Sequence, residues 1–365
     1  MRPEIKSAIV MVVIIAAAIG GLSAYFTSLE APSSANSDKS AQMQSMDKSK
    51  FEKAPELRGI AGYINTDADQ LKNQIKGKVV LYDIWTYSCI NCQRTLPYIT
   101  AWNEKYSDKG LVIVGIHSPE FEFEKDINNV KQATEKFGIT YPVVLDNDKQ
   151  IWNAFGNNYW PRKYIADDEG YIRYDHIGEG GYAETEKVIQ DLLSERATRL
   201  GLNVATAQPL VNIEESRNGA RTPELYFGYD FVYGRDQLGN SEGFHPDSDV
   251  AYSSPAQLQN DHFYLDGTWK NISDRMSLVS DSGKIKLPYF AKDVNIVASG
   301  ESDLTVLLDG KPISQQDSGE DVKNGVVHTS ESRLYNLVKT KEPGSHTVEI
   351  LVSKPGFEIY TFTFG

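Results

Sequence analysis

The sequence predicts an α/β domain followed by an all-β sandwich, jelly-roll-like domain, with a transmembrane helix at the N-terminus. Three observations predict this order: an uncharged apolar stretch near the start, alternating strand and helix patterns, and then strand patterns alone. Because 365 residues exceed what one hydrophobic core usually supports, two globular domains are expected. We place them at residues 55–202 and 223–365, with residues 203–222 as the linker between them.

The N-terminal stretch predicts a membrane anchor. No charged residue occurs from residue 7 to residue 29, which is long enough for a helix that crosses a bilayer. Arg2 and Lys6 precede it, and positive residues stay in the cytoplasm, so the rest of the chain is expected outside. The prediction is a single-pass anchor in the cell membrane at residues 1–30, followed by a flexible polar linker at residues 31–54. A cleaved signal peptide is the alternative, and it also exports the globular part.

The net charge of the chain limits the classes of partner that it is expected to bind. The net charge is −13, and no basic stripe is visible in the sequence. Nucleic-acid binders need such a stripe to contact phosphates, so no nucleic-acid partner is expected.

The elements of the first domain follow from apolar periodicity. Buried-strand runs and amphipathic helices alternate, and a hairpin precedes the last helix. This order predicts parallel crossovers followed by an antiparallel hairpin. The predicted strands are residues 78–85, 111–117, 141–146, 162–167 and 171–178, and the predicted helices are residues 93–106, 127–138 and 183–200.

The second domain shows strand patterns throughout, with turn signals such as Asp309-Gly310. In "YFGYDFVYG" the aromatic residues alternate, which predicts a strand with one aromatic face. That face is expected to be the inner side of the sandwich, and a platform that stacks on sugar rings is the alternative. Trp269 is likewise expected in the core. The alternating aromatic residues are Phe227, Tyr229, Phe231 and Tyr233.

Both cysteines of the chain lie in "WTYSCINCQRTLP", directly after a predicted strand. A structural zinc site needs four ligands, and the histidines are scattered singly. A stabilising disulfide would close too small a loop to gain much. A redox pair fits the position of the two cysteines, because unpaired N–H groups at the start of a helix favour the thiolate form of a cysteine there. We therefore expect Cys89 to attack a disulfide and Cys92, one turn into the helix, to resolve the mixed disulfide.

Three further residues are candidates for the same site. Asp83 lies on the strand before the cysteines, where burial raises the pKa of a carboxyl group and lets it exchange a proton with Cys92. A hydrogen bond to backbone is the alternative role for Asp83. Pro161 follows "NNYW", and a cis bond there would turn the backbone of Trp160 towards the sulfurs. An ordinary turn proline is the alternative.

Two other polar residues lie at the end of the second strand of this domain or shortly after it. The segment "SPEFEFEK" places Glu120, Glu122 and Glu124 on the side where the active-site end of the sheet is expected. Glu120 either tunes the thiols or steers substrates, or it belongs to a solvated acidic loop, which is the favoured interpretation. His117 is expected to be a polar cap at the strand end rather than a ligand.

The segments "KGKVVLYDIWTYSCINCQRTLPYI", "GIHSPEFEFEK", "YPVVLDND", "NNYWPRKYIAD", "RLYNLV" and "IYTFTFG" resemble DipZ-type proteins. In that family a thioredoxin-like domain of the TlpA/ResA group is joined to a β-sandwich that resembles carbohydrate-binding modules. The resemblance covers about residues 55–365 and implies a thiol-disulfide oxidoreductase that needs no cofactor. It also implies that Asp83 is the buried aspartate and Pro161 the cis-proline of thioredoxins.

Two departures limit what the resemblance implies. Relatives that serve cytochrome c biogenesis often carry a glutamate where this chain has Thr95, which weakens that assignment. DipZ proteins also contain a multi-helix membrane domain, so here a separate membrane protein is expected to deliver electrons. The dipeptide Ile90-Asn91 leaves the direction of transfer open, and we favour a reductant or isomerase.

The resulting hypothesis is a membrane-anchored, extracytoplasmic oxidoreductase that acts on disulfides of exported proteins. Its β-sandwich would bind a glycan or a protein partner. The alternative is a binding protein in which the thioredoxin-like domain is redox-inert.

Overall fold

The computed structural model describes residues 48–206, 209–215, 219–232 and 234–365. The anchor expected at residues 1–30 and most of the linker expected at residues 31–54 lie outside the described residues. Within the described ranges, no helix is long and apolar enough to cross a membrane.

The first domain contains six strands and five α-helices among its described residues. The elements, in chain order, are β1 (Gly62–Ile64), α1 (Ala68–Ile75), β2 (Val79–Trp85), α2 (Ile90–Tyr106), β3 (Leu111–His117), α3 (Ile127–Lys136), β4 (Val143–Leu145), α4 (Gln150–Ala154), β5 (Arg162–Ala166), β6 (Ile172–Ile177) and α5 (Tyr182–Leu200). Short 3-10 helices occupy Ser107–Lys109 and Glu122–Lys125. The predicted α/β pattern is confirmed, and β1, α1 and α4 were not predicted.

The strands of this domain form one sheet in the order β1-β4-β3-β2-β5-β6. The neighbours β2, β3 and β4 are parallel, whereas β5 and β6 form the predicted antiparallel hairpin. All seven residues of β2 are buried, as expected for a central strand covered on both faces. Because β2 ends at Trp85 and α2 begins at Ile90, the chain between them lies at the carboxyl end of the central strand.

The second domain is all-β among its described residues, as predicted. Its strands are β7 (Leu225–Tyr226), β8 (Asp249–Tyr252), β9 (Tyr264–Asn271), β10 (Met276–Leu278), β11 (Gly283–Ser299), β12 (Ser302–Leu308), β13 (Lys311–Pro312), β14 (Val326–Thr329), β15 (Arg333–Val352) and β16 (Glu358–Phe364). Asp309 and Gly310 form the turn between β12 and β13, both with positive φ angles.

Hydrogen bonds join these strands into one continuous sheet rather than two separate ones. The strands β9 and β16 each pair with both β10 and β11, so these four strands form a closed circuit. The sheet thereby encloses a single apolar core, to which Trp269 belongs as predicted.

The strand predicted in "YFGYDFVYG" is wrong beyond Leu225–Tyr226. The N–H of Phe231 donates to the carbonyl oxygen of Gly228, which closes a turn. A Cβ atom at Gly228 would lie 2.3 Å from the backbone of Asp274, so only glycine allows this approach. The aromatic residues therefore do not share one face, and Tyr233 lies outside the described residues.

The two domains belong to one compact unit, Ser49–Gly365, and pack through an aromatic contact. The ring of Tyr360 on β16 lies 4.7 Å from Phe123 and 5.1 Å from Phe121, measured between centroids. The hydroxyl of Tyr87, two residues before Cys89, donates to the carbonyl oxygen of Ser332 at 3.0 Å. The β domain therefore lies against the end of the first sheet where the cysteines are found.

Candidate active site

The structure places Cys89 at the N-cap of α2, with the backbone in an extended conformation. Its Sγ accepts the N–H of Cys92 at 3.3 Å, so the sulfur caps the helix as a capping oxygen would. Cys89 is half-buried and Cys92 is only 1% exposed, and both are free thiols. One sulfur is thus at the surface of the site and the other lies a turn deeper.

The loop before Cys89 is held by the buried carboxylate of Glu124. Its Oε1 accepts the Ser88 hydroxyl at 2.5 Å, and its Oε2 accepts the backbone N–H groups of Glu120 at 2.6 Å and Phe121 at 3.0 Å. Charge-assisted bonds of this kind are among the stronger ones in proteins. They fix the position of Cys89 relative to the loop that follows β3.

Asp83 lies in the middle of β2 and is 1% exposed. Burial raises the pKa of its carboxyl group to about 6, and the positive charge of Lys163 limits the rise. The Oδ1 atom of Asp83 accepts no hydrogen bond from any residue that the structure describes. Lys163 is itself buried, and its ammonium group donates to the carbonyl oxygen of Gly178 at 3.1 Å.

The thiol of Cys92 is chemically different from an ordinary cysteine. Burial is the largest cause that raises its pKa well above the usual value, followed by its hydrogen bond to Cys89 and the negative charges of Cys89 and Asp83. A hydrogen bond from the backbone of Thr86 acts in the opposite direction. Cys92 therefore holds its proton until a base removes it, and Asp83 is close enough for its charge to act on this thiol.

The bond between Trp160 and Pro161 is cis, as the motif suggested. The indole N–H of Trp160 donates to the carbonyl oxygen of Ser118 at 2.9 Å, and its ring packs on Trp152 with centroids 4.2 Å apart. Trp160 lines the same small cavity as Cys89. The structure thus brings four of the predicted site residues together, with Cys89 and Trp160 at the cavity and Asp83 and Cys92 buried. Pro161 follows Trp160 through the cis bond.

That cavity has a volume of about 50 Å³ and lies between the domains. Glu120 lines it beside Cys89, so the interpretation of Glu120 as part of a solvated acidic loop is wrong. The β domain supplies Glu224, Tyr226 and Val297 to the opposite wall.

His117 is fully buried at the end of β3. Burial lowers its pKa to about 3, so the ring is neutral at physiological pH. Its Nε2 atom lies 3.3 Å from the hydroxyl of Thr86, and its ring stacks on that of Tyr87. Its role is to pack the strand end behind the cysteine loop.

Sequence reasoning missed three residues that surround the cysteines, Lys163, Glu224 and Tyr226. Lys163 carried a weak signal, because a lysine among the apolar residues of β5 must be paired if it is buried. For Glu224 and Tyr226 no local pattern pointed to the site, since their positions depend on tertiary contacts.

Two family models match the chain. The model described as Redoxin matches residues 52–193, and that described as Thioredoxin like C-terminal domain matches residues 222–365. Protein DipZ of Mycobacterium bovis is 36% identical over 334 residues, which are 90% of this chain and 44% of DipZ. The thiol-disulfide oxidoreductase YkuV of Bacillus subtilis is 30% identical over 141 residues, which are 39% of this chain and 94% of YkuV.

The α/β fold and the helix-capping dithiol define a thioredoxin-like oxidoreductase, and the chain belongs to the thiol-disulfide oxidoreductases of this fold. The match to DipZ extends over 90% of the chain, including the regions of both family models, which confirms the resemblance to DipZ-type proteins seen in the sequence. The chain spans less than half the length of DipZ itself.

Proposed function

We propose that the protein is a membrane-anchored, extracytoplasmic oxidoreductase that reduces or isomerises disulfides of exported proteins. The observation that carries the redox part is the pairing of a helix-capping Cys89 with a buried Cys92 above Asp83. The uncharged apolar stretch after Lys6 supports the anchor and the export.

In the first step, the Cys89 thiolate attacks one sulfur of a substrate disulfide. A mixed disulfide forms between Cys89 and that sulfur, and the other substrate sulfur leaves. The N–H of Cys92, which already donates to Sγ of Cys89, stabilises negative charge on the attacking sulfur.

In the second step, Cys92 attacks the Cys89 sulfur and releases the substrate as a thiol. This attack requires the loss of a proton that burial holds firmly on Cys92. Asp83, whose pKa is about 6, is mostly ionised at neutral pH and accepts that proton. The positive charge of Lys163 keeps Asp83 ionised at this pH.

The proposal includes two further partners. The oxidised protein must be reduced again, and we assign this to a separate membrane protein that carries electrons. The β domain binds a glycan or a protein ligand, in keeping with the similarity of such sandwiches to carbohydrate-binding modules.

The test uses the full chain in detergent and oxidised glutathione or a disulfide-containing exported protein. The reduced wild type is expected to reduce the disulfide, Cys89→Ser to be inactive, and Cys92→Ser to accumulate a mixed disulfide. An absence of exchange in the wild type would overturn the proposal in favour of a redox-inert binding protein.

A further inference from the structure

The hydroxyl of Tyr226 connects two carboxyl groups that come from different domains. Its oxygen lies 2.9 Å from Oε1 of Glu120, on the loop after β3, and 3.0 Å from Oε2 of Glu224, just before β7. All three side chains line the small cavity that also contains Cys89.

These two contacts require a further proton. A tyrosine hydroxyl has one proton and donates it to one acceptor at a time. The second carboxyl group therefore makes its contact only by donating its own proton to the tyrosine oxygen. With both contacts formed, the pair of Glu120 and Glu224 carries one acidic proton, because two unprotonated carboxylates would repel each other here.

The surroundings support retention of this proton. Burial, together with the charges of Glu224 and Glu124, raises the pKa of Glu120 to about 8, while Tyr226 and Lys149 act in the opposite direction. Burial also raises the pKa of Glu224, against its hydrogen bond to Tyr226 and the charge of Arg235. The Arg235 guanidinium lies 4.8 Å from the centre of the Tyr226 ring.

We propose that the β domain completes the redox site: Tyr226 positions Glu120 and Glu224 so that they hold one proton at the cavity beside Cys89 and give it to the departing substrate sulfur. This inference rests on the proposed function and assigns a role to the second domain in the exchange itself. Glu120 and Glu224 act on the leaving sulfur, whereas Tyr226 is a positioning residue.

The Cys89 thiolate forms a bond to one substrate sulfur while the substrate disulfide bond breaks, and the departing thiolate takes the carboxyl proton and becomes a thiol. Cys92 then loses its proton to Asp83 and displaces the second substrate thiolate, which is protonated from solvent. The two cysteines lose two electrons to the substrate, and solvent returns the proton to the carboxyl pair.

The experiment measures single-turnover reduction of hydroxyethyl disulfide by the reduced full chain in detergent, as a function of pH. The wild-type rate constant is expected to decline as the pH rises through about 8, the value to which burial raises the pKa of Glu120. In Glu120→Gln and Tyr226→Phe this decline is expected to shift or disappear, with a rate about tenfold lower at pH 7. Tyr229→Phe is the control, since its hydroxyl contacts Asp247 outside the cavity.

A second measurement does not depend on activity. The infrared band of a protonated carboxyl group is expected in the wild type at pH 7 and is expected to be lost or shifted in Glu120→Gln and Glu224→Gln. Unchanged pH profiles together with an unchanged band would overturn the inference. If the wild type reduces no disulfide, the proposed function fails instead, and the infrared band still decides whether the proton is shared.

Discussion

Asp83 and Lys163 are paired in register on the antiparallel strands β2 and β5, and both side chains are buried. Directly opposite residues of such a pair lie on the same face of the sheet. Each charge reduces the cost of burying the other, although no direct ion pair is formed within hydrogen-bond range among the described residues. The consequence is a carboxylate that is ionised near neutral pH beneath the cysteines.

We expect Asp83→Asn to slow the resolving step. The amide cannot accept the Cys92 proton, so the mixed disulfide should decay about tenfold to a hundredfold more slowly at pH 7. Rapid mixing followed by acid quench measures this decay. Asp108→Asn is the matched control, because Asp108 is an exposed residue paired with Lys109. Equal decay in both variants would exclude Asp83 as the base.

The same residue should make stability depend on pH. The carboxyl group of Asp83 titrates near 3.8 in the unfolded chain and near 6 in the fold. The folded state holds the proton of Asp83 up to a higher pH than the unfolded state does. The contribution of Asp83 to the free energy of unfolding is therefore most favourable below about pH 4 and declines as the pH rises to about 6. Two pKa units correspond to about 3 kcal/mol.

Urea unfolding of the reduced wild type and of Asp83→Asn measures this effect. Relative to Asp83→Asn, the wild type should lose about 3 kcal/mol in the free energy of unfolding between about pH 4 and about pH 7. A difference that is independent of pH would contradict the raised pKa.

Weakening the contact between the domains should expose Cys89. Tyr360→Ala removes a buried ring that packs on Phe121 and Phe123, at a cost of about 3 kcal/mol in the free energy of unfolding. Alkylation of Cys89 by a bulky maleimide should become faster. Tyr289→Ala is the control, because Tyr289 is equally buried but lies in the core of the β domain. Equal alkylation rates in the two variants would show that the contact between the domains does not shield Cys89 from the maleimide.

The predicted topology is testable by thiol labelling, because the chain has only two cysteines. In Cys92→Ser, a membrane-impermeant maleimide should label Cys89 in intact cells. Labelling that occurs only after the cells are lysed would show that the domain is cytoplasmic and would contradict the export.

The fold could be predicted where a segment is long and strongly periodic. The strand β2 and the helix α5 are examples, since their apolar residues form continuous or amphipathic runs. By contrast, α1 buries only Leu71 and α4 has five residues, so neither produced a recognisable pattern. The turn at Gly228 was missed because its cause, the close backbone of Asp274, is distant in sequence.

The residues of the candidate site also divide into those that local sequence patterns predicted and those that they did not. Cys89, Cys92 and Asp83 were found because a strand, a loop and a helix start follow one another within ten residues. Tyr226 and Glu224 are more than 130 residues further along the chain, and only the packing of one domain on the other brings them to Cys89. Local patterns contain no information about that packing.

The strand β11 has no solvent-facing side where it passes the cysteines. Ile296 and Ala298 point into the core of the β domain, while Val297 packs in the apolar cluster shared with Phe121. This part of the strand is therefore committed to the contact with the first domain and to the wall of the cavity beside Cys89. Any sugar or protein that the β domain recognises must therefore dock on another part of the sheet, leaving catalysis and recognition on separate surfaces of a single polypeptide.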